Sequence, residues 1–481
     1  MHCVRRALAL SVFASVAAGA EARGPATTQA SRPVAATVKT TISYGEAKPI
    51  LEALRDNLPA ELKGKTSAEI ETAWPAWVSR RNVEIRARLD RGDEDSIVNL
   101  LLFGTSFTKQ PRALNDSRKL GGPERAGEIL RGRIADMVTA IASPAANERL
   151  QFARHLVERQ GIQPTTSAGK ARVRLYLLSV MRRVVGEVDT YLRAIESAKA
   201  ENNPAAEFAE RSTLFRTRGL SSDTSIRPDF AIEQALADMT SPGPFNGKLG
   251  AGTVRRVAIV GPGLDFTDKA EGYDFYPQQT TQPFSIVNSL MRLGLAASAG
   301  LQVTTFDLSP RINQHLEAAR QRARAGGVYV MTLPRDTDSH WTPDLLSFWR
   351  RFGDRIGDET KAVPTPPGET SIEVRAIGVR SAVVLSIVPQ DVNIVLERID
   401  PVEAEDRFDL IIATNILVYY DRFEQSLALA NIAKMLRLGG ILLSNNGLSD
   451  LPTTPLRMIG SRTVAYTDQP DDTDHIVWYQ R

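Results

Sequence analysis

The chain has 481 residues, a formal net charge of +3, and 42% hydrophobic and 24% charged residues, the balance of a soluble globular protein with room for two or three domains. That charge is too mild to mark a nucleic-acid or anionic-membrane surface, so no nucleic-acid partner is expected. The single cysteine, Cys3, excludes intrachain disulfides and cysteine-based zinc sites, and His2, His155, His315, His340 and His475 lack metal-ligand spacing, so no metal is expected.

The N-terminus carries Arg5 and Arg6, an apolar run over 7–20 and the small-x-small site Ala20-Glu21-Ala22, the pattern of a secretory signal peptide over 1–22. The run is too short to span a bilayer. This pattern places the protein in the periplasm or outside the cell, or in the cytoplasm if the start codon is misassigned. Residues 23–42, rich in Ala, Thr and Pro, read as a flexible linker.

Residues 43–245 read as a helical domain of unknown role. EAKPILEALRDNL, SAEIETAWPAWVSRRNVEIRARL, DEDSIVNLLLFGTSF, GEILRGRIADMVTAIA, NERLQFARHLVERQG and ARVRLYLLSVMRRVVGEVDTYLRAIESAKA repeat apolar residues at three- and four-residue spacing. Trp74 and Trp77 read as packing anchors, and Arg80, Arg81, Arg86 and Arg88 as a solvated helix face. The polar stretch 212–236 (STLFRTRGLSSDTSIRPDFAIEQAL) reads either as a lid or as a surface connector.

From residue 250 the grammar changes. RRVAIVGPGLDF is a buried-strand run that stops at Gly261-Pro262-Gly263, and LQVTTFDLSPR is a second one, ending on Asp307 before a Ser-Pro helix start. Strand, glycine turn, helix, strand and acid suit a nucleotide-type site: glycines admit a ligand to the backbone, and the acid accepts hydrogen bonds from ribose hydroxyls. An Asp- and Tyr-dense insertion, LDFTDKAEGYDFYPQQTTQ, follows the turn and reads as a substrate-facing lid. FDLIIATNILVYYD is a strand that breaks at Thr414-Asn415, with Asp421 and Glu424 as a capping box for the next helix. ILLSNN is another strand, and RTVAYT with DHIVWYQR reads as a terminal antiparallel hairpin. The remainder after residue 311 reads as the rest of the same sheet.

On VAIVGPGLD, FDLSP, FDLIIATNILVYYDRFEQSLALANIAKMLRLGGILLSN and the terminal hairpin, residues 250–481 resemble class I S-adenosylmethionine-dependent methyltransferases. One turn is similar to the chemotaxis-receptor glutamate methyltransferase branch. Ile259 stands where the family has an acid, Asp265 where it has a third glycine, and Leu438 where it has a proline, and 44 residues separate Gly263 from Asp307. The resemblance implies an α/β fold: a Rossmann-like methyltransferase sheet with an antiparallel terminal hairpin, preceded by an all-α N-terminal region. It also implies S-adenosyl-L-methionine as cofactor. Gly261, Pro262 and Gly263 then face its methionine part, Asp307 and Leu308 the ribose, Asp391 and Val392 the adenine, and Asn415 and Ile416 the methyl-transfer side. Asp265, Tyr273, Tyr276 and Tyr419 are the candidates for positioning an acceptor, which is a small molecule or a protein. Two alternatives stand beside this: an exported non-catalytic binding protein on the same fold, and an NAD(P)-dependent oxidoreductase.

Overall fold

The computed structural model describes residues 37–112, 122–200, 219–240, 249–267, 272–366, 371–401, 406–445, 453–469 and 472–481. The predicted signal peptide lies outside them. The chain divides at residues 34/35, and everything described below belongs to the second unit.

The first described segment is a strand, β1 (Thr37–Thr41), inside the stretch expected to be a flexible linker. It pairs antiparallel with β8 (Glu397–Pro401) far along the chain, and the main-chain ladder is what holds this Thr-rich segment. Helices α1 (Tyr44–Ala53), α2 (Ser67–Phe103), α3 (Pro123–Ala142), α4 (Glu148–Arg159) and α5 (Ser167–Ala200) follow. Capping boxes from Ser43 with Glu46 and from Thr66 with Glu69 start α1 and α2. The α2 sequence reads as two helices broken near Gly92, yet it is continuous. Gly92 is there for close approach: a Cβ would stand 1.9 Å from the carbonyl oxygen of Leu220.

Helix α6 (Ile226–Thr240) precedes β2 (Arg256–Val260), α7 (Gln282–Arg292), β3 (Gln302–Phe306) and α8 (Pro310–Arg324). Strands β4 (Tyr329–Asp336), β5 (Gly357–Glu359) and β6 (Ile372–Val379) enclose α9 (Pro343–Arg351). Then come α10 (Ser381–Ser386), β7 (Ile387–Gln390), β8, β9 (Phe408–Ala413), α11 (Arg422–Met435), β10 (Leu436–Asn445), β11 (Arg457–Ala465) and β12 (Thr473–Gln480).

Seven strands form one sheet in the order β11-β12-β10-β9-β2-β3-β7. The five strands β10, β9, β2, β3 and β7 run parallel, while β12 lies antiparallel to β10 and β11 antiparallel to β12. This is the α/β sheet with a reversed terminal hairpin that the sequence predicts. Two expectations need correction. Strands β4, β6 and β5 do not join it but make a separate antiparallel sheet, and β8 leaves it to pair with β1.

Period-two alternation distributes the strands between two cores. Val257, Ile259, Leu410, Ile412 and Trp478 face one cluster with α6 to α9, whereas Ala258, Val260, Ile411, Ala413 and Val477 face another that includes Trp74, Trp77 and Ile85 of α2. Residues 42–85 therefore share a core with the sheet, and α6 belongs to the sheet's other face. The division expected near residues 245–250 is not a packing boundary. Only α3, α4, α5 and the C-terminal part of α2 make a core of their own, and Phe266, from the insertion after the glycine turn, is buried in it. Among the described residues no helix is long and apolar enough to cross a membrane.

Candidate ligand cleft

Strand order reverses between β2 and β9: the chain goes outward through β3 and β7, then returns to build β9 and β10 on the other side. In open α/β sheets the crevice at the carboxyl ends of such strands is where ligands bind. A cleft of about 540 Å3, its open mouth included, lies there.

Its floor is the turn after β2. Gly261 and Gly263 both have positive φ, +66° and +69°, the left-handed region that glycine enters without penalty. The approach is also tight. A Cβ on Gly261 would stand 2.1 Å from Cδ1 of Ile416, and one on Gly263 would stand 2.9 Å from the Ser222 carbonyl oxygen. Phe306, Asp307, Leu308 and Ser309 supply the edge beyond β3, Val392 and Ile394 the side beyond β7, and Ile416, Tyr419 and Tyr420 the side beyond β9.

Asp307 is half-buried on this edge. Its Oδ1 accepts a hydrogen bond from the Ser309 amide at 2.8 Å, and its own amide donates to the Gln390 carbonyl at 3.1 Å. Burial pushes its carboxyl up to about 7, against the Ser309 amide and the nearby Arg311 guanidinium, which pull the other way. An acid so poised gains from any ligand that donates hydrogen bonds to it.

The rest of the cleft comes from segments whose part in the site the sequence left open. Leu89 of α2 and the segment 219–224, carrying Leu220, Ser221 and Ser222, form the wall opposite the sheet. That segment belongs to the stretch read as lid or connector, and here it walls the cleft. It is tied on both sides: Leu220 N donates to the Arg88 carbonyl at 3.1 Å, Leu264 N to the Ser222 carbonyl at 2.7 Å, and Thr224 N to the Leu264 carbonyl at 3.0 Å. Asp223 accepts from Ser96 Oγ at 2.7 Å and Asn99 Nδ2 at 2.9 Å, both on α2.

Helix α2 thus runs as a crossbar over the carboxyl edge of the sheet. The arginines expected to be a solvated face include three of its fasteners: Arg81 pairs with Glu424 at 2.7 Å, Arg86 with Asp391 at 2.7 Å, and Arg88 donates to the Tyr419 carbonyl at 2.9 Å. Asp391, expected at the adenine, is therefore committed to Arg86 and does not line the cleft; its neighbour Val392 does. Pro262 is buried beneath the turn. Asn415 is exposed, has φ +58°, and exchanges side-chain and main-chain hydrogen bonds with Asn445 at the end of β10; it also lies off the cleft lining.

Three of the four positioning candidates lie elsewhere. Asp265 Oδ2 accepts from the Tyr276 hydroxyl at 2.7 Å and from Gln279 Nε2 at 3.0 Å. Tyr273 is fully buried, with the Arg112 guanidinium 5.3 Å from its ring centre. Arg149 of α4, itself buried, donates to the carbonyls of Phe266, Tyr276 and Asp265. The insertion expected to be a substrate-facing lid is, over its described residues, a plug that docks the helical bundle. The Tyr273 and Tyr276 rings lie against Arg112 and Arg149, while the Asp265 carboxylate is bonded within the insertion itself. Only Tyr419 lines the cleft.

No protein-family model matches the chain, and no curated protein sequence does. Among solved structures it is similar to the N-methyltransferase NodS from Bradyrhizobium japonicum WM9, with 12% identity, 53% of this chain and 99% of that one covered, and a TM-score of 0.25. It is also similar to an O-methyltransferase family protein from Burkholderia thailandensis, with 13% identity, 87% and 99% covered, and a TM-score of 0.26. A third is the mitomycin 7-O-methyltransferase MmcR, with 12% identity, 86% and 100% covered, and a TM-score of 0.26. Likenesses of this size assign neither ligand nor reaction, and the functional reading rests on the cleft itself.

Proposed function

We propose that the chain is an S-adenosylmethionine-dependent methyltransferase acting on a neutral oxygen or nitrogen nucleophile. The observation that carries this is the lining of the cleft at the β2/β9 switch point: among the described residues it is a glycine turn and one carboxylate, with no Lys, Arg or His. A dinucleotide presents a pyrophosphate, which needs donors from a helix that starts immediately after the glycine turn. Here that helix starts only at Gln282, its first residues are not part of the cleft lining, and among the described residues no cation lines the cleft in its place. A nucleoside with a sulfonium and no phosphate fits the same lining.

In this reading Asp307 holds the ribose diol, Val392 and Ile394 flank the base, and Gly261 and Gly263 admit the amino-acid end to the backbone. The Tyr419 and Tyr420 rings can face the sulfonium, whose charge favours aromatic surfaces. When bound, the cofactor supplies an electrophilic methyl group; the protein's task is alignment and exclusion of water. The lining offers an acceptor the hydroxyls of Ser221, Ser222 and Tyr419. Among the described residues it offers no cation for an anionic one, which favours an uncharged acceptor over a carboxylate such as the glutamate suggested by the Asn415 turn.

Calorimetric titration of the full chain with S-adenosylmethionine, S-adenosylhomocysteine and NADH tests the reading. The expected result is binding of the first two, weakened about tenfold or more by Asp307→Ala as a charged hydrogen-bond acceptor is lost. Binding of NADH alone would favour the oxidoreductase alternative, and binding of none the non-catalytic one.

A further inference from the structure

Arg311 is not part of the cleft lining, yet it is closely held on several sides. It stands in the first turn of α8, four residues after Asp307. Its guanidinium carbon lies 4.2 Å from the ring centre of Phe152 on α4 and 4.9 Å from that of Phe266 in the insertion. One nitrogen, Nη2, donates to the Ser222 hydroxyl and lies 3.6 Å from Asp93 on α2. The buried Nε and Nη1 have no hydrogen-bond acceptor. The aromatic cage thus fixes the guanidinium so that its hydrogen bond is spent on Ser222, in the cleft wall.

We propose that Arg311 is a positioning residue: its bond to Ser222 latches the 219–224 segment over the ligand cleft, and this latch opens for ligand to enter and leave. The ligand part rests on the function proposed above; the latch itself does not. The geometry explains why a latch is useful. The segment presses on the glycine turn so closely that the missing Cβ of Gly263 would touch the Ser222 carbonyl. It also crosses α2 at Gly92, where main chain meets main chain. A wall built so close to the turn shields a bound ligand from water but obstructs exchange. Its ties to the sheet side include the short bridge to Leu264 and the Arg311 bond.

The test is hydrogen exchange on the ligand-free full chain, comparing wild type with Ser222→Ala and Arg311→Met. Ser222→Ala removes the far end of the latch, together with one hydroxyl of the cleft lining, and leaves the aromatic cage and Asp93 contact intact; Arg311→Met, which leaves every lining hydroxyl in place, separates the two effects. Arg311→Met keeps a long apolar side chain between the rings. The expected result is exchange of peptides covering 219–224 and Leu264 about tenfold faster or more in both variants, as a charge-assisted bond is lost. Peptides from β9, β10 and α3 should keep wild-type rates. Stopped-flow displacement of S-adenosylhomocysteine should show faster dissociation in both variants by a similar factor. Unchanged exchange at 219–224 in Ser222→Ala would overturn the latch and leave Arg311 as a brace between helices. Faster exchange with unchanged ligand dissociation would overturn the gating step. If wild type binds no S-adenosyl ligand, the methyltransferase reading fails while the exchange comparison still decides the latch.

Discussion

Replacing Asp229 by Asn should stabilise the protein progressively as pH rises. Asp229 lies in the first turn of α6 and is fully buried. Burial pushes its carboxyl well above the usual range, partly offset by the Thr281 hydroxyl and reinforced by the Asp265 carboxylate. In the unfolded chain the same group ionises near its ordinary value of about 3.9. Between those two values the native state holds a proton that the unfolded state has released. Stability therefore falls with rising pH throughout that window, by up to about tenfold in the folding equilibrium per pH unit. Asparagine resembles the protonated acid and does not titrate. Its amide shifts the whole curve by a constant of about 1 kcal/mol in either direction, so the diagnostic is the slope and not the offset. Urea unfolding followed by tryptophan fluorescence at pH 5, 6 and 7 measures it, provided the denaturant slopes of the two proteins agree. The advantage of Asp229→Asn should widen with each unit. Parallel curves, or a gap that narrows as pH rises, would refute the assignment of a neutral buried acid.

Asp307, raised to about 7 by burial, should make S-adenosylhomocysteine affinity fall as pH is lowered from 8 to 6. Loss of the carboxylate form below its pKa limits the drop to about tenfold per unit, and the difference from a flat Asp307→Asn profile in calorimetry isolates this group. Gly261→Ala should destabilise the chain by about 1–3 kcal/mol, combining left-handed backbone strain with displacement of Ile416. Adding Ile416→Ala should recover only the steric part, which urea denaturation of the single and double variants would show. Arg149→Met leaves the carbonyls of Phe266, Tyr276 and Asp265 without their donor. It should cost about 3 kcal/mol or more and raise protease sensitivity at the insertion; an unchanged midpoint would show that the plug is held by its apolar contacts alone.

What the sequence made legible follows from local rules. The strands β2, β9 and β12 were readable because β-branched and aliphatic runs of five to eight residues, bounded by Gly, Asn or Asp, have few other uses. The cap of α11 was readable because Asp421 and Glu424 stand at capping-box spacing, and both reciprocal bonds are made. Of the residues named from the sequence, Gly261, Gly263, Asp307, Leu308, Val392, Ile416 and Tyr419 line the cleft, since each sits within a few residues of a strand's end. The failures share a cause. Leu89, Leu220 and Ser222 enter the cleft from α2 and from a separate segment, and only tertiary contact reveals that. Asp265, Tyr273 and Tyr276 looked chemical because acids and tyrosines were concentrated beside the glycine turn. Arg112 and Arg149, which lie against the two tyrosine rings, stand far back in the chain, and the Asp265 carboxylate is taken by Tyr276 and Gln279; composition gives no sign of either. Leu438, noted only for replacing a proline, is 79% exposed at the irregularity where β10 shifts register on β9.

The arrangement also explains why the helical half is not an appendage. A parallel sheet must be covered on both faces, and here Ile42, Trp74, Trp77 and Ile85 cover part of one, beside α11. Having paid out that length of helix, the chain carries α2 onward across the carboxyl edge, where Arg86, Arg88, Leu89 and Gly92 meet the loops after β7 and β9 and the 219–224 segment in successive turns. One helix is therefore core at one end and cleft wall in the middle. The insertion after the glycine turn completes the same design from the sheet side. By sending Phe266 into the bundle and receiving Arg149 in return, it clamps the bundle beside the turn. It also lengthens the path from the glycine turn to α7, which starts at Gln282 outside the cleft lining. A single insertion thus joins the halves and separates, along the chain, the glycine turn from the helix that follows it.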